Sequence, residues 1–137
     1  MKLILFLTLF LMISCNEEKV DRNPFLQEIS FDERINLSLP TFDNLRYQGG
    51  SVYWQNGGIK GLNLFNLSGT IMAWEASCPN QRPSDCSKTT INDIIVQCSC
   101  DDSTYSLVTG QPLTDGVEYG LINYGIRRSG NLVLIYN

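Results

Sequence analysis

The sequence predicts an all-β domain, a sandwich or a barrel. Three observations lead there. Apolar residues recur at every second position in several short runs. Pairs of Asn, Gly, Ser and Asp separate those runs at near-regular spacing, and beyond the leader no window longer than ten residues keeps a helical period.

Taken in order, Phe31 to Leu39 alternates at Ile35, Leu37 and Leu39, a half-buried strand ended by Pro40. Ser51-Val52-Tyr53-Trp54 is β-prone and lies between Gly49-Gly50 and Asn56-Gly57-Gly58, residues that supply the positive φ of tight turns. Gly61 to Asn66 and Thr70 to Trp74 form a hairpin about Ser68-Gly69. Thr89-Thr90-Ile91 and Ile94-Ile95-Val96 form another about Asn92-Asp93, and its outgoing strand delivers Cys98 to a loop. Tyr105 to Val108 is a strand followed by a Thr109-Gly110 turn. Leu121 to Ile126 and Leu132 to Tyr136 close the chain about Ser129-Gly130-Asn131.

The N-terminus carries a leader. Leu3 to Ile13 is apolar except for Thr8, too short to span a bilayer and suited to a signal-peptide core. Met12-Ile13-Ser14-Cys15 resembles a bacterial lipobox, which implies cleavage before Cys15 and acylation of its thiol. No Asp follows Cys15, and Asn16-Glu17-Glu18-Lys19 resembles the acidic export signal of Bacteroidota lipoproteins. That resemblance implies a lipid-anchored envelope protein, on the outer membrane rather than the inner. The expected organisation is a lipoprotein signal peptide over 1–14, a lipidated flexible tether over 15–27 and one β domain over 28–137. Loss of the leader removes Lys2 and leaves nine basic against fourteen acidic side chains, a net charge of −5. Such a surface gives no support to nucleic-acid binding.

The chemistry-bearing residues are two cysteine loops, Cys78-Pro79-Asn80 and Cys98-Ser99-Cys100-Asp101, with seventeen residues between Asn80 and Cys98. Their spacing resembles the Rieske iron–sulfur pattern C-x-H-x(15–17)-C-x-x-H, with Asn80 and Asp101 at the histidine positions. The chain contains no histidine. The resemblance extends over about residues 30–137. It includes Ser103 and Tyr105, where the family keeps a hydroxyl pair, the Thr109-Gly110 turn and the closing Leu121 to Leu134 hairpin. It implies a Rieske-like antiparallel β-sandwich with a small cluster-binding-type loop subdomain. A Rieske [2Fe–2S] centre needs two Cys on one iron and two His on the other. Both histidines are replaced here, Asp102 stands where the family has glycine, and Gly116-Val117-Glu118 lacks the proline of the family's cover loop. The expectation is a degenerate member with no cofactor and no bound metal, whose vestigial ligand positions are Cys78, Asn80, Cys98 and Asp101. The alternative implied by the family is a [2Fe–2S] electron-transfer protein.

Setting aside Cys15 leaves Cys78, Cys86, Cys98 and Cys100, an even number that in an exported protein reads as disulfides with three possible pairings. Some Rieske proteins carry a disulfide between the two ligand loops. The resemblance places its partners at Cys86 and Cys100, and leaves the two thiolate positions, Cys78 and Cys98, to pair with each other. A Cys₄ zinc or ferredoxin-like site competes for the same thiols, but Cys98-x-Cys100 is tighter than the usual knuckle and Cys78 to Cys86 wider.

Without histidine there is no Ser–His or Cys–His nucleophile, so no catalytic residue is assigned. Asp101-Asp102 reads as a solvated acidic turn, and the D-x-[DN]-x-[DN]-G calcium pattern is absent. The expected role is therefore a non-catalytic binding or accessory one. Its partners are the membrane, held through Cys15, and an envelope protein.

Overall fold

The computed structural model describes residues 22–137. The expected signal peptide, Cys15 and the first part of the tether lie outside the described residues.

Among the described residues, nine strands form three antiparallel three-stranded sheets. The strands are β1 (Asp32–Asn36), β2 (Ser51–Trp54), β3 (Leu62–Leu67), β4 (Thr70–Glu75), β5 (Thr89–Asn92), β6 (Ile95–Cys98), β7 (Thr104–Ser106), β8 (Gly125–Ser129) and β9 (Leu132–Tyr136). The sheets run β1-β9-β8, β2-β3-β4 and β5-β6-β7. The all-β class expected from alternation is the one observed.

The β2-β3-β4 sheet is the middle layer. Leu62 and Leu64 of β3 and Ile71 and Ala73 of β4 face one side, where they pack with Ile35, Val133 and Ile135 of the first sheet. Phe65 and Trp74 face the other side and pack with Val96, Tyr105 and Leu107 of the third. Successive side chains on a strand point to opposite faces, so a sheet covered on both faces needs buried residues at both parities. Leu62 through Asn66 are indeed all buried. Asn63, on the face toward the third sheet, is accommodated by donating from Nδ2 to the Thr89 hydroxyl at 2.7 Å.

The strand read over Phe31 to Leu39 ends at Asn36. Pro40 does more than terminate it: it opens a 3₁₀ helix, Pro40–Arg46, whose Phe42 and Leu45 are buried. Residues three apart eclipse in a 3₁₀ helix, so these two plug the same end of the core. Leu39, expected inside, is 51% exposed.

The Leu121 to Ile126 strand is also divided. Residues 122–124 bond to β4, with Glu75 N donating to Ile122 O and Tyr124 N to Ala73 O, each at 2.9 Å. Only from Gly125 does the chain pair with β9. This segment carries the chain from the middle sheet to the first. Alternation reports an extended, half-buried segment but not its partner.

The third sheet lies across the second face of the middle sheet: Thr89 at the start of β5 bonds to Ala76 just past β4, and the β5–β6 turn reaches Ser51, whose hydroxyl donates to Asp93 O at 3.3 Å. Asn92 pairs with Ile95, so the β5–β6 turn is Asp93-Ile94, one residue later than read, with Asp93 at φ 61°. The two cysteine loops lie here: the first runs from β4 to β5, the second from β6 to β7.

Candidate functional site

The first cysteine loop leaves β4 through Ala76 and Ser77. Thr89 N donates to Ala76 O at 2.8 Å and Cys78 N to Ser87 O at 2.7 Å, so the loop's two ends meet. The second is closed by Cys98 N on Ser103 O at 2.8 Å and Asp102 N on Cys98 O at 3.0 Å. Asp102 has φ 60°. The left-handed conformation that suits glycine best is thus kept by a residue whose short polar side chain tolerates it.

Cys78 is bonded to Cys98, with Cα atoms 5.8 Å apart, and Cys86 to Cys100, with Cα atoms 5.2 Å apart. These are the partners the resemblance implies. The two bridges differ in surroundings. Cys78 and Cys98 are fully buried beside Val96, Tyr105 and Leu107. Cys86 and Cys100 are exposed, and the Ser84 hydroxyl lies 3.7 Å and 3.8 Å from their sulfurs.

Asn80 is not beside Cys98 in function: its amide serves a third loop. Its Oδ1 accepts from Tyr119 N at 2.9 Å, and its Nδ2 donates to Tyr119 O at 2.7 Å and to the Tyr105 hydroxyl at 3.0 Å. One side chain therefore satisfies both backbone groups of Tyr119 and anchors the segment that follows Gly116-Val117-Glu118. Asp101 folds back on its own chain. Its Oδ1 accepts from Ser103 N at 3.0 Å and its Oδ2 from Gln81 Nε2 at 3.3 Å, which adds a contact between the two cysteine loops. Burial holds the Tyr105 hydroxyl above the ordinary tyrosine pKa, against the lowering effect of Asn80, and the Asp101 charge adds to the rise. Its proton stays on at neutral pH.

Sequence reasoning missed Glu75. This carboxylate is fully buried at the end of β4. Its Oε1 accepts from Lys60 N at 2.9 Å and Ser77 N at 2.7 Å; its Oε2 accepts from Ile59 N at 2.7 Å and the Tyr124 hydroxyl at 2.6 Å. A buried carboxylate is tolerated when its lone pairs are filled. These four donors come from three separate segments, so Glu75 ties the 55–61 loop and the crossing segment to the root of the first cysteine loop. The sequence signal was a lone acid in the otherwise apolar run Ile71 to Ala76.

The approach to the domain is also built in. Asn23 donates from Nδ2 to Pro79 O at 2.7 Å, and its Oδ1 accepts from Phe25 N at 2.8 Å and Leu26 N at 3.1 Å. Leu26 is buried, and Phe25 meets Tyr119 edge-on with ring centroids 6.0 Å apart. Within the stretch read as tether, residues 23–26 thus lie against the first and third loops.

Structural comparison bears on the fold. The chain is similar to one in the complex of reduced oxygenase and oxidized ferredoxin of carbazole 1,9a-dioxygenase, with a TM-score of 0.52 and 15% identity over 77% of this chain and 92% of that one. The fold is Rieske-like. Two further likenesses are the ferredoxin of carbazole 1,9a-dioxygenase from Nocardioides aromaticivorans IC177 and the Sphingomonas yanoikuyae B1 ferredoxin. The first has a TM-score of 0.49 and 13% identity over 74% of this chain and 95% of that one. The second has 0.47 and 14%, over 66% and 88%. At 15% identity the first of these likenesses speaks for the fold alone. No protein-family model matches the sequence, and no curated protein does.

A mixed Cys/His diiron centre does not fit the donors of this Rieske-like domain. Two free thiolates are required, and Cys78 and Cys98 are bonded to each other. Two imidazoles are required, and the positions hold an amide spent on Tyr119 and a carboxylate spent on Ser103. Among the described residues no group of three or more His, Cys, Asp or Glu side chains converges as a metal site.

Proposed function

We propose that this protein is a clusterless Rieske-like lipoprotein of the bacterial envelope. Its former ligand loops have become a stapled, non-catalytic surface that binds or supports an envelope partner. The observation that carries this reading is the Cys78–Cys98 bond: the two sulfurs that would share an iron share a bond instead. The double use of Asn80 on Tyr119 supports it, because the replaced ligand holds a loop closed rather than facing a metal. Anchoring rests on the lipobox at Cys15, and the outer membrane is favoured by the acidic residues behind it.

The test uses the full chain, exported and extracted from membranes. Expected are a colourless protein without acid-labile sulfide, no electron paramagnetic resonance signal after reduction, two disulfides by peptide mapping, and an acyl adduct on Cys15. A brown sample with stoichiometric iron and free thiols at Cys78 and Cys98 would select electron transfer through a [2Fe–2S] centre instead.

A further inference from the structure

The end of the domain that carries the cysteine loops is also the end at which the chain arrives from its anchor. Asn23 is fastened to Pro79 of the first loop. Seven residues, 16–22, separate it from Cys15. Eight Cα-to-Cα steps reach at most about 29 Å, less than the roughly 35 Å breadth of a compact domain of this size. If Cys15 is acylated, as the proposed function holds, the exit point cannot stray far from the leaflet.

The surface around that exit point is apolar with charged flanks. Phe25 is 37% exposed and Ile29 44% exposed, and both line one cleft with Ile59 and Pro83. Arg22 and Arg82 are exposed beside them. Glu28 and Asp85 are exposed at the same end. Apolar side chains at the headgroup level, flanked by both signs of charge, match a zwitterionic lipid surface: guanidinium groups meet phosphate and carboxylates meet ammonium. We propose that the Phe25–Ile29 segment and the Arg82-Pro83 loop tip rest on the phosphatidylethanolamine surface that holds the Cys15 lipid, so the domain stands with its cysteine loops toward the membrane. The opposite end, at the β8–β9 turn, then faces away. Leu132 marks that end and is 59% exposed.

This inference rests on the anchoring reading, and its test separates the two. The acylated full chain is reconstituted in phosphatidylethanolamine vesicles doped with bromine-labelled lipid. Ile29→Trp, Phe25→Trp and Leu132→Trp are compared against the parent, whose own tryptophans are the half-buried Trp54 and the buried Trp74, and all three replace exposed side chains. The expected result is about twofold quenching of the added emission at positions 29 and 25 and none at 132, since a side chain at the interface sits within about 5–10 Å of the acyl boundary. Equal quenching at all three positions, or quenching only at 132, with the acyl adduct present on Cys15, overturns the orientation and leaves the anchor standing. A Cys15 without acyl chains overturns both.

Discussion

Asn80 and Tyr119 are joined at both ends of one amide: the side-chain oxygen takes the Tyr119 N–H at 2.9 Å and the side-chain nitrogen gives to the Tyr119 carbonyl at 2.7 Å. This is the bonding of a β-bridge made with a side chain in place of a second backbone, at a position where the resemblance places a metal-binding imidazole.

Asn80→Ala therefore removes three hydrogen bonds and leaves Tyr119 N, Tyr119 O and the buried Tyr105 hydroxyl to find others. At about 1 kcal/mol per bond, the expected loss of unfolding free energy is about 2–3 kcal/mol. Asn80→Asp keeps the acceptor for Tyr119 N and loses both donations, so its loss falls between. Urea titration of the oxidised protein measures both. Equal stability of Asn80→Ala and the parent would show that the clamp holds nothing.

Glu75→Gln tests the buried carboxylate. An amide offers one acceptor oxygen where four donors converge, so at least one backbone N–H is left facing an NH₂ group. The expected cost is about 2–4 kcal/mol. Hydrogen exchange should localise it, with the Ile59 and Lys60 amides accelerated and the β8–β9 hairpin little changed.

The tyrosines set the alkaline limit. Burial, followed by its hydrogen bond to Glu75, holds the Tyr124 hydroxyl far above its ordinary value, and burial raises Tyr105. In the unfolded chain both ionise near pH 10. Above that pH the unfolded state gives up protons that the folded state keeps, so the slope of stability with pH is negative. Stability is complete below about pH 10 and falls as pH rises toward the folded-state values. Tyr124→Phe should lower stability at pH 8, where a hydrogen bond is lost, and flatten the decline between about pH 10 and 11. A urea midpoint that stays level over that interval in the parent would contradict this.

The two bridges should open in order. Cys86–Cys100 is exposed and Cys78–Cys98 is buried, so a dithiol reductant reaches the first in the folded protein and the second only after unfolding. Alkylation followed by peptide mapping reads the order. Bridges closing 14 and 20 residues of sequence separation are each worth about 3 kcal/mol alone. They tie the same loops, so removal of one costs less than that, and removal of both costs more than the two single losses combined.

Strands β2 to β5 were legible in the sequence to within a residue, because alternation and Gly or Asn punctuation are local signals. The partner of Leu121 to Tyr124 was not, since a half-buried extended segment looks the same whichever sheet it joins. The 3₁₀ helix was hidden because two buried residues, Phe42 and Leu45, make too short a pattern to distinguish from a loop. In the site, the resemblance pointed to the two cysteine loops, but the bonding of Asn80 and Glu75 was not legible. Asn80 acts on Tyr119, 39 residues away, and Glu75 on Tyr124, 49 away. Pairings between such distant positions leave no trace in spacing. Gly110 shows the same limit: read as a turn residue, it does have φ 74°, but a Cβ there would also run into the Trp74 ring.

Two covalent ties between one pair of loops, with the neighbouring segment clamped by an amide, leave that end of the molecule little disorder to surrender. An envelope partner seated in the same membrane would meet a shape already set there, so its binding would not be offset by the entropy of freezing mobile backbone. Discrimination among such partners would then follow from steric misfit rather than from adaptive closure.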